Sequence, residues 1–265
     1  MRERRIHRVT SDSGRATDPA GKMPAMGYRE SMPAPALAGR VAAYWALDGA
    51  THAPRRVLPD GCADLICDFS AGKLRAFWVG TMTRPLVVVA DGPQDLFGIR
   101  FAPGGLFPWL GVPLRELTDR RVELPALLPR HWRPPLQALA DERDFDARCQ
   151  RVESSLLAAW PDRHGTDIAA ALGTFAAAEA GWDVLTLSRR SGLGVRTLER
   201  RCLESLGVSP RQHLRFLRFE RARTLLESGA LRAADIALAC GYSDQAHFVR
   251  EFARFIGVTP GRWRG

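Results

Sequence analysis

The sequence predicts an α+β chain in two parts, a β-rich N-terminal domain built as a small barrel or sandwich, then an all-α domain with two helix-turn-helix motifs. Three observations carry this expectation. Short alternating or apolar runs punctuated by Pro and Gly occupy residues 36–101. The pattern turns helical after Pro103. A short-helix, turn, long-helix pattern then appears twice, about fifty residues apart. At 265 residues the chain suits two domains of ordinary size, each able to bury its own core.

Residues 1–30 read as a disordered basic tail, with a regulatory arm as the alternative; their start, MRERRIHRVTSDSG, lacks the apolar centre of a secretory signal. Residues 31–160 are expected to form the β-rich domain and its closing helices. The strand candidates are VAAYWAL (41–47), ADLICDF (63–69), LRAFWVG (74–80), PLVVVA (85–90) and DLFGIRF (95–101). In the second of these Leu65, Cys67 and Phe69 alternate with Asp64 and Asp68, the pattern of a half-buried strand. Residues 105–110 read as a short helix, followed by a Pro-rich connection through Pro125, Pro129, Pro134 and Pro135. Residues 144–160 form a better helix, capped by Asp144 and ended by Pro161, with Phe145, Cys149, Val152, Leu156 and Trp160 along one side. That stripe closes the N-terminal core or forms a dimer seam. PDRHG (161–165) is the expected domain boundary, and Thr166 is a natural N-cap for a helix over 166–180 that opens the domain of residues 165–265.

The second copy of the repeat, ADIALACGYSDQAHFVREFARFIGVTPGRW, reads as a short helix, a Gly turn and a longer helix. Ser243 or Asp244 can cap the longer helix, and Phe248, Phe252 and Phe255 recur at i, i+4 and i+7 as its buried stripe. That leaves Gln245, Ala246, His247, Val249 and Arg250 outward as base-reading candidates, with a capping or packing role as the alternative for His247. In the first copy Leu187, Gly192, Leu198, Arg200, Cys202, Gly207 and Pro210 stand opposite Ile236, Gly241, Phe248, Arg250, Phe252, Gly257 and Pro260. The offset is 49 before the turn and 50 after it, so the second turn is one residue longer. Leu198, Cys202 and Leu206 form the buried side there and leave Arg196, Thr197, Glu199 and Arg200 outward as base-reading candidates. A connecting helix over 209–228 offers Leu214, Leu217, Leu225 and Leu226 for packing. Two crossing helices, the second presenting amides and cations, are the geometry of a reader of the DNA major groove.

Charge placement agrees. The net charge is +9, and residues 182–265 hold 15 Arg against 8 acidic residues, whereas residues 31–160 are nearly balanced. The excess sits where phosphate binding requires it; a solvated basic face is the alternative. The five cysteines are odd in number and scattered, and Cys202 and Cys240 occupy apolar helix positions, as core thiols of a cytoplasmic protein do. No apolar run is long enough to span a membrane, so no membrane association is expected.

On the strings GYSDQAHFVREFARFIGVTPGRWR and RFERARTLLESG, residues 165–265 resemble the AraC/XylS-type transcriptional regulators. The strings AYW, LPDGCADLI, FGIRFAPGG and LFPWLGVPLRELTD resemble the N-terminal domain of one AraC-type subgroup. Ser188, Gly194 and Cys202 stand where the family usually has alanine, serine and phenylalanine. The resemblance implies a sequence-specific regulator, by family habit an activator working with RNA polymerase. It also implies an effector-binding or dimerising N-terminal domain, often a cupin-like barrel, and so a small-molecule effector or a homodimer. The family's base-reading positions fall on Arg196, Glu199, Arg200, Gln245, Ala246, Val249 and Arg250. An Arg can give two donors to guanine and a Gln can pair with adenine, while some of these Arg residues instead touch phosphate alone. Arg189, Arg201, Arg211 and Arg254 are phosphate candidates, with an exposed solvated face as the equal alternative.

In the N-terminal domain Trp45, Asp60, Asp64, Trp78 and Arg100 are the effector-pocket candidates, Arg100 pointing into a cavity, to solvent or into an ion pair with an Asp. No His/Glu cluster has metal-ligand spacing and no nucleophile stands with a base, so neither metal, cofactor nor catalysis is expected. Two other readings stay open. A DNA-repair methyl acceptor would need a clustered thiolate site, and Cys62 and Cys67, five residues apart, fall on opposite strand faces. A non-specific architectural DNA-binding protein would show no sequence preference.

Overall fold

The structure, a computed structural model, describes residues 27–50, 54–89, 92–110, 112–124, 133–160 and 183–263. The expected tail up to residue 26, the connection around Pro125 and Pro129, the boundary at 161–165 and the helix over 166–180 lie outside the described residues.

Eight strands are found among these residues: β1 (Tyr28–Ser31), β2 (Val41–Ala50), β3 (Arg55–Val57), β4 (Ala63–Asp68), β5 (Arg75–Val79), β6 (Leu86–Val88), β7 (Pro93–Phe101) and β8 (Arg121–Glu123). Six form one antiparallel sheet in the order β1-β2-β7-β4-β5-β8, and β3 pairs with β6 as a separate two-stranded ribbon. The five runs read from the sequence are β2, β4, β5, β6 and β7. The other three are only three or four residues long, too short for alternation to mark them. β1 overlaps the end of the segment expected to be a tail, in Tyr28, Arg29 and Glu30; Tyr28–Ser31 pairs with Leu47–Tyr44 and takes its order from that neighbour.

Register assigns the two faces. Tyr44, Ile99, Leu65 and Trp78 stand in one cross-strand row, all fully or almost fully buried. Ala46, Phe97, Cys67 and Ala76 form a parallel row on the same side. That face packs against α1 (Arg133–Ala140) and α2 (Phe145–Ala159) through Leu136, Leu139, Phe145, Cys149, Val152 and Leu156. The α2 stripe therefore closes the N-terminal core. Asp144 caps α2 as expected, accepting from Ala147 N–H at 2.9 Å. Pro134 and Pro135, read as part of a connection, lie in the first turn of α1, where a missing N–H costs nothing. The helix expected at 105–110 is a single 3-10 turn, Phe107–Trp109.

The C-terminal part contains α3 (Val184–Ser191), α4 (Val195–Ser205), α5 (Pro210–Glu227), α6 (Ala233–Ala239) and α7 (Gln245–Ile256). It has its own core, to which Leu58 of the N-terminal part is added. The predicted connecting helix is α5, opened by the Ser209 cap and by Pro210 in its first turn. Its packing side is not chiefly the leucines. Phe216 and Phe219 are fully buried, whereas Leu217, Leu225 and Leu226 are half-buried. Phe219 stacks on Phe255 with ring centroids 4.6 Å apart and meets Phe252 at 5.6 Å, while Phe216 meets Phe255 at 5.7 Å. These rings bind α7 to α5. The architecture is thus an antiparallel β-sheet region followed by an all-α region, as the sequence indicates.

Candidate nucleic-acid interface

The two motifs are α3–α4 and α6–α7. In the first, Asp183 caps α3 and Gly192 closes it with a left-handed φ of 66°. Without that conformation the chain could not reverse so sharply into α4. In the second, Gly241 turns with φ 68° and Asp244 caps α7, accepting from His247 N–H at 2.6 Å. Of the two cap candidates, Asp244 takes the role, and Ser243 supports it with a hydroxyl 3.2 Å from the carboxylate. The backbone hydrogen bond from His247 holds the Asp244 carboxyl below its usual range. The first motif lacks this device: Gly194 at the N-cap of α4 supplies no side-chain acceptor. Cys202, in place of an aromatic, is nevertheless fully buried in the core, and burial pushes its thiol up to about 12.

The packed sides are those the periodicity indicates. Leu198, Cys202 and Leu206 are buried on α4, as are Phe248, Phe252 and Phe255 on α7. Opposite them Arg196, Glu199 and Arg200 are exposed and Thr197 is half-buried at the edge. On α7 Gln245, Ala246 and Arg250 are exposed, and His247 and Val249 are half-buried. Arg200 lies 3.2 Å from Glu204 one turn on, an exposed pair worth at most about 1 kcal/mol and readily exchanged for another partner. His247 is held by its neighbours: Nδ1 is 3.1 Å from the Ser243 hydroxyl, Nε2 is 3.6 Å from Glu251, and its ring stands edge-on to Tyr242.

A shallow cleft joins α7 to the start of α5. It is lined by Ser209, Arg211, Gln212, Arg215, His247, Arg250, Glu251 and Arg254. Four arginines line it beside the N-terminal end of an 18-residue helix, whose dipole favours an anion, although Pro210 has no N–H and the Gln212 N–H is already given to the Ser209 hydroxyl. Of the sequence-derived candidates the cleft gathers Arg211, His247, Arg250 and Arg254, while Arg189 and Arg201 lie on the other motif. Arg215 and Glu251 are not among the residues the sequence singles out. They form an ion pair in which the Glu251 side chain is almost fully buried. An acidic residue following Arg250, four residues after His247, is the signal that marks it.

In the N-terminal part the register separates the five pocket candidates. Trp45, Asp64 and Arg100 lie on the outer sheet face, in the rows Ala43–Arg100–Asp64–Val79 and Trp45–Gly98–Ile66–Phe77. The Trp45 indole lies over Gly98, so close that a Cβ there would meet it at 2.0 Å, and donates to Asp64 at 2.8 Å. Arg100 sits 3.5 Å from Asp60, 3.8 Å from Asp64 and 3.6 Å from Glu30. Of the open readings for Arg100, the structure shows the ion pair. Trp78 is on the opposite face, in the core, and does not join this cluster. The five cysteines are free, and Cys62 and Cys67 carry thiols that burial raises, Cys67 to about 12, contrary to the thiolate a methyl acceptor requires. Among the described residues no group of His, Cys, Asp and Glu is arranged to hold a metal ion, and no helix is long and apolar enough to cross a membrane.

Comparison with known proteins matches both parts. Residues 187–265 match a helix-turn-helix domain family, and residues 29–123 match a domain of unknown function (DUF6597). The HTH-type transcriptional activator RhaS of Escherichia coli O139:H28 (strain E24377A / ETEC) is 34% identical over 106 residues, which is 40% of this chain. RhaS of Escherichia coli strain SE11 is 33% identical over the same length. The chain spans about a third (34%) of the length of these relatives. Among solved structures, the DNA-binding domain of AdpA in complex with a target DNA is 27% identical with a TM-score of 0.34, covering 36% of this chain and 86% of that one. A probable AraC family transcriptional regulator from Rhodopseudomonas palustris CGA009 is 26% identical with a TM-score of 0.31, covering 36% and 92%.

Proposed function

From a chain that carries an AraC-type helix-turn-helix domain behind a domain of unknown function, we propose a sequence-specific DNA-binding regulator of transcription that reads one asymmetric site with both motifs. The observation that carries it is the repeated exposed face: Arg196, Glu199 and Arg200 on α4, and Gln245, Ala246 and Arg250 on α7, each opposite a fully packed apolar side. Arg196, Arg200 and Arg250 have the donors for guanine, and Gln245 has the amide for adenine. Thr197, Ala246 and Val249 supply methyl groups for thymine contact, and His247, braced by Ser243 and Glu251, shapes the edge of the face. Arg189, Arg201, Arg211 and Arg254 fix the register on phosphates, with the cleft at the start of α5 seating one phosphate between the two motifs.

The connecting helix holds 18 residues, or about 27 Å at 1.5 Å per residue. Successive major grooves on one face of DNA lie about 34 Å apart. With the reach of the recognition helices added, the two motifs address adjacent grooves from one side. Because the two faces differ in residues, the site differs between its halves.

RhaS is named a transcriptional activator, and activation together with RNA polymerase is the corresponding proposal here. Residues 31–160 are assigned the sensing or dimerising role and residues 165–265 the DNA-binding role. Within the former, Trp45, Asp60, Asp64 and Arg100 are the effector-site candidates. Their charges are engaged with one another, which supports a structural ion-pair cluster over an open ligand site.

Selection of bound sequences from random duplex DNA, at a stated salt concentration, tests the function. Enrichment of one asymmetric sequence is expected. Tight binding without enrichment would instead identify an architectural protein.

A further inference from the structure

The N-terminal part touches the two recognition helices at the same place. Thr81, itself fully buried, donates its hydroxyl to the carbonyl of Leu206 at 2.7 Å. Arg56 donates from Nη1 to the carbonyl of Ile256. Leu206 and Ile256 are equivalent in the internal repeat, fifty residues apart, and each stands at the end of its recognition helix. A third donor, the Thr118 hydroxyl, reaches the carbonyl of the next residue, Gly207, at 2.6 Å. Carbonyls in a helix's last turn have no partner within the helix and carry the negative end of its dipole, so hydroxyl and guanidinium donors suit them.

The glycines after those carbonyls are shaped for the contact. Gly207 and Gly257 both turn with left-handed φ, 76° and 85°. A Cβ on Gly207 would meet the Thr118 hydroxyl at 2.8 Å and the Leu114 carbonyl at 3.2 Å; one on Gly257 would meet the Arg56 guanidinium at 2.5 Å. Gly192, the left-handed glycine after α3, has nothing within 4 Å of the same position. The close approach therefore belongs to the two recognition helices.

The donors also share one support. Thr81 and Thr118 lie on loops tied together by Asp119 N–H to Thr81 O and Gly80 N–H to Arg120 O, both 3.1 Å, and by Thr83 to the Asp119 carboxylate. Arg56 sits on β3, opposite Val87 of β6, the strand that follows Thr81 in the chain. Just beyond β3, Leu58 inserts into the C-terminal core.

We propose that Arg56, Thr81 and Thr118 are positioning residues that grip the ends of both recognition helices and so set the spacing between the two half-sites the protein accepts. The inference rests on the DNA-reading function proposed above. It assigns the N-terminal part a role in specificity that needs no contact with DNA: each motif reads its own bases, and the grip fixes how far apart and at what angle they are read.

The test compares the full chain with a triple variant, Arg56→Met, Thr81→Val and Thr118→Val, which keeps side-chain bulk and removes the three donors. Binding is measured on the selected site with one or two base pairs added or removed between its halves. The wild type is expected to favour one spacing, and the variant to lose roughly tenfold of that preference, about 1.4 kcal/mol, while base preferences within each half persist. A variant with the wild-type spacing profile would overturn the proposal. A second readout is independent of DNA. Nitroxides at L185C and L238C, exposed positions on α3 and α6 outside both base-reading sets, in a C62S background, report the distance between the motifs. A broadened distribution in the triple variant supports the grip, and an unchanged one refutes it. If the wild-type chain selects no DNA, the functional reading fails, and the nitroxide distances still decide whether the grip exists.

Discussion

Phe219→Ala strikes the point where the connecting helix holds the second recognition helix. Phe219 is fully buried, stacks on Phe255 at 4.6 Å with an interplanar angle of 25°, and meets Phe252 at 5.6 Å. An aromatic side chain buries roughly 150–250 Å². At about 25 cal/mol per Å² that corresponds to roughly 4–6 kcal/mol, which falls to about 2–5 kcal/mol for an unfolded chain already partly collapsed. Lost ring–ring contact and the residual cavity keep the expected cost at about 3–5 kcal/mol, a large share of the roughly 5–15 kcal/mol of a whole domain. Urea denaturation followed by far-ultraviolet circular dichroism measures it, with Phe219→Leu as a milder companion. DNA binding should fall with stability, because α7 loses its seat on α5. A cost below about 0.5 kcal/mol, the level of an ordinary surface substitution, would show that α5 is not the spine of the C-terminal core.

Two further predictions concern the face and the core. Arg200→Ala and Arg250→Ala should each relax base preference at one position in opposite halves of the site, by about 1–3 kcal/mol where a base is read; competition binding with single-base variants checks this, and uniform weakening across all sequences reduces the residue to a phosphate contact. His213, buried on α5 against Phe216, has its titration pushed down to about 4 by burial. The unfolded chain therefore binds the extra proton first: its contribution to stability is complete above about pH 6.5 and is lost at up to about 1.4 kcal/mol per pH unit as the pH falls toward 4. His213→Leu should flatten that part of the pH–stability curve, and an unaltered slope would contradict it.

The C-terminal part is legible in the sequence because one signal recurs. Phe248, Phe252 and Phe255 at helical spacing, with Gly241 and Gly257 at the turns, assign the buried side of α7 from spacing alone, and the repeat transfers that assignment to Leu198 and Cys202. Single letters at the helix starts are legible too: Asp144 caps where expected, and Asp244 is one of the two residues expected to cap α7, whereas the Ser209 cap lies at a position read as the first residue of the connecting helix. The strands are harder. Ala76, Phe77 and Trp78 are all buried, so alternation along β5 vanishes. Only the pairing of Trp78 with Leu65 and of Trp45 with Gly98 shows that the two tryptophans face opposite ways. The grip on the recognition helices carries no sequence pattern. Its acceptors are backbone carbonyls, and its donors are two loop threonines and an arginine on a three-residue strand; long-range packing alone brings them together.

Hydroxyl-radical footprinting of the full chain on its selected duplex tests the central claim most directly. Two patches of protection on one face of the DNA, about one helical turn apart and over unlike half-site sequences, are the predicted result. A single protected groove, or equal protection over the halves of a palindrome, would contradict an account in which both motifs of one chain read DNA together.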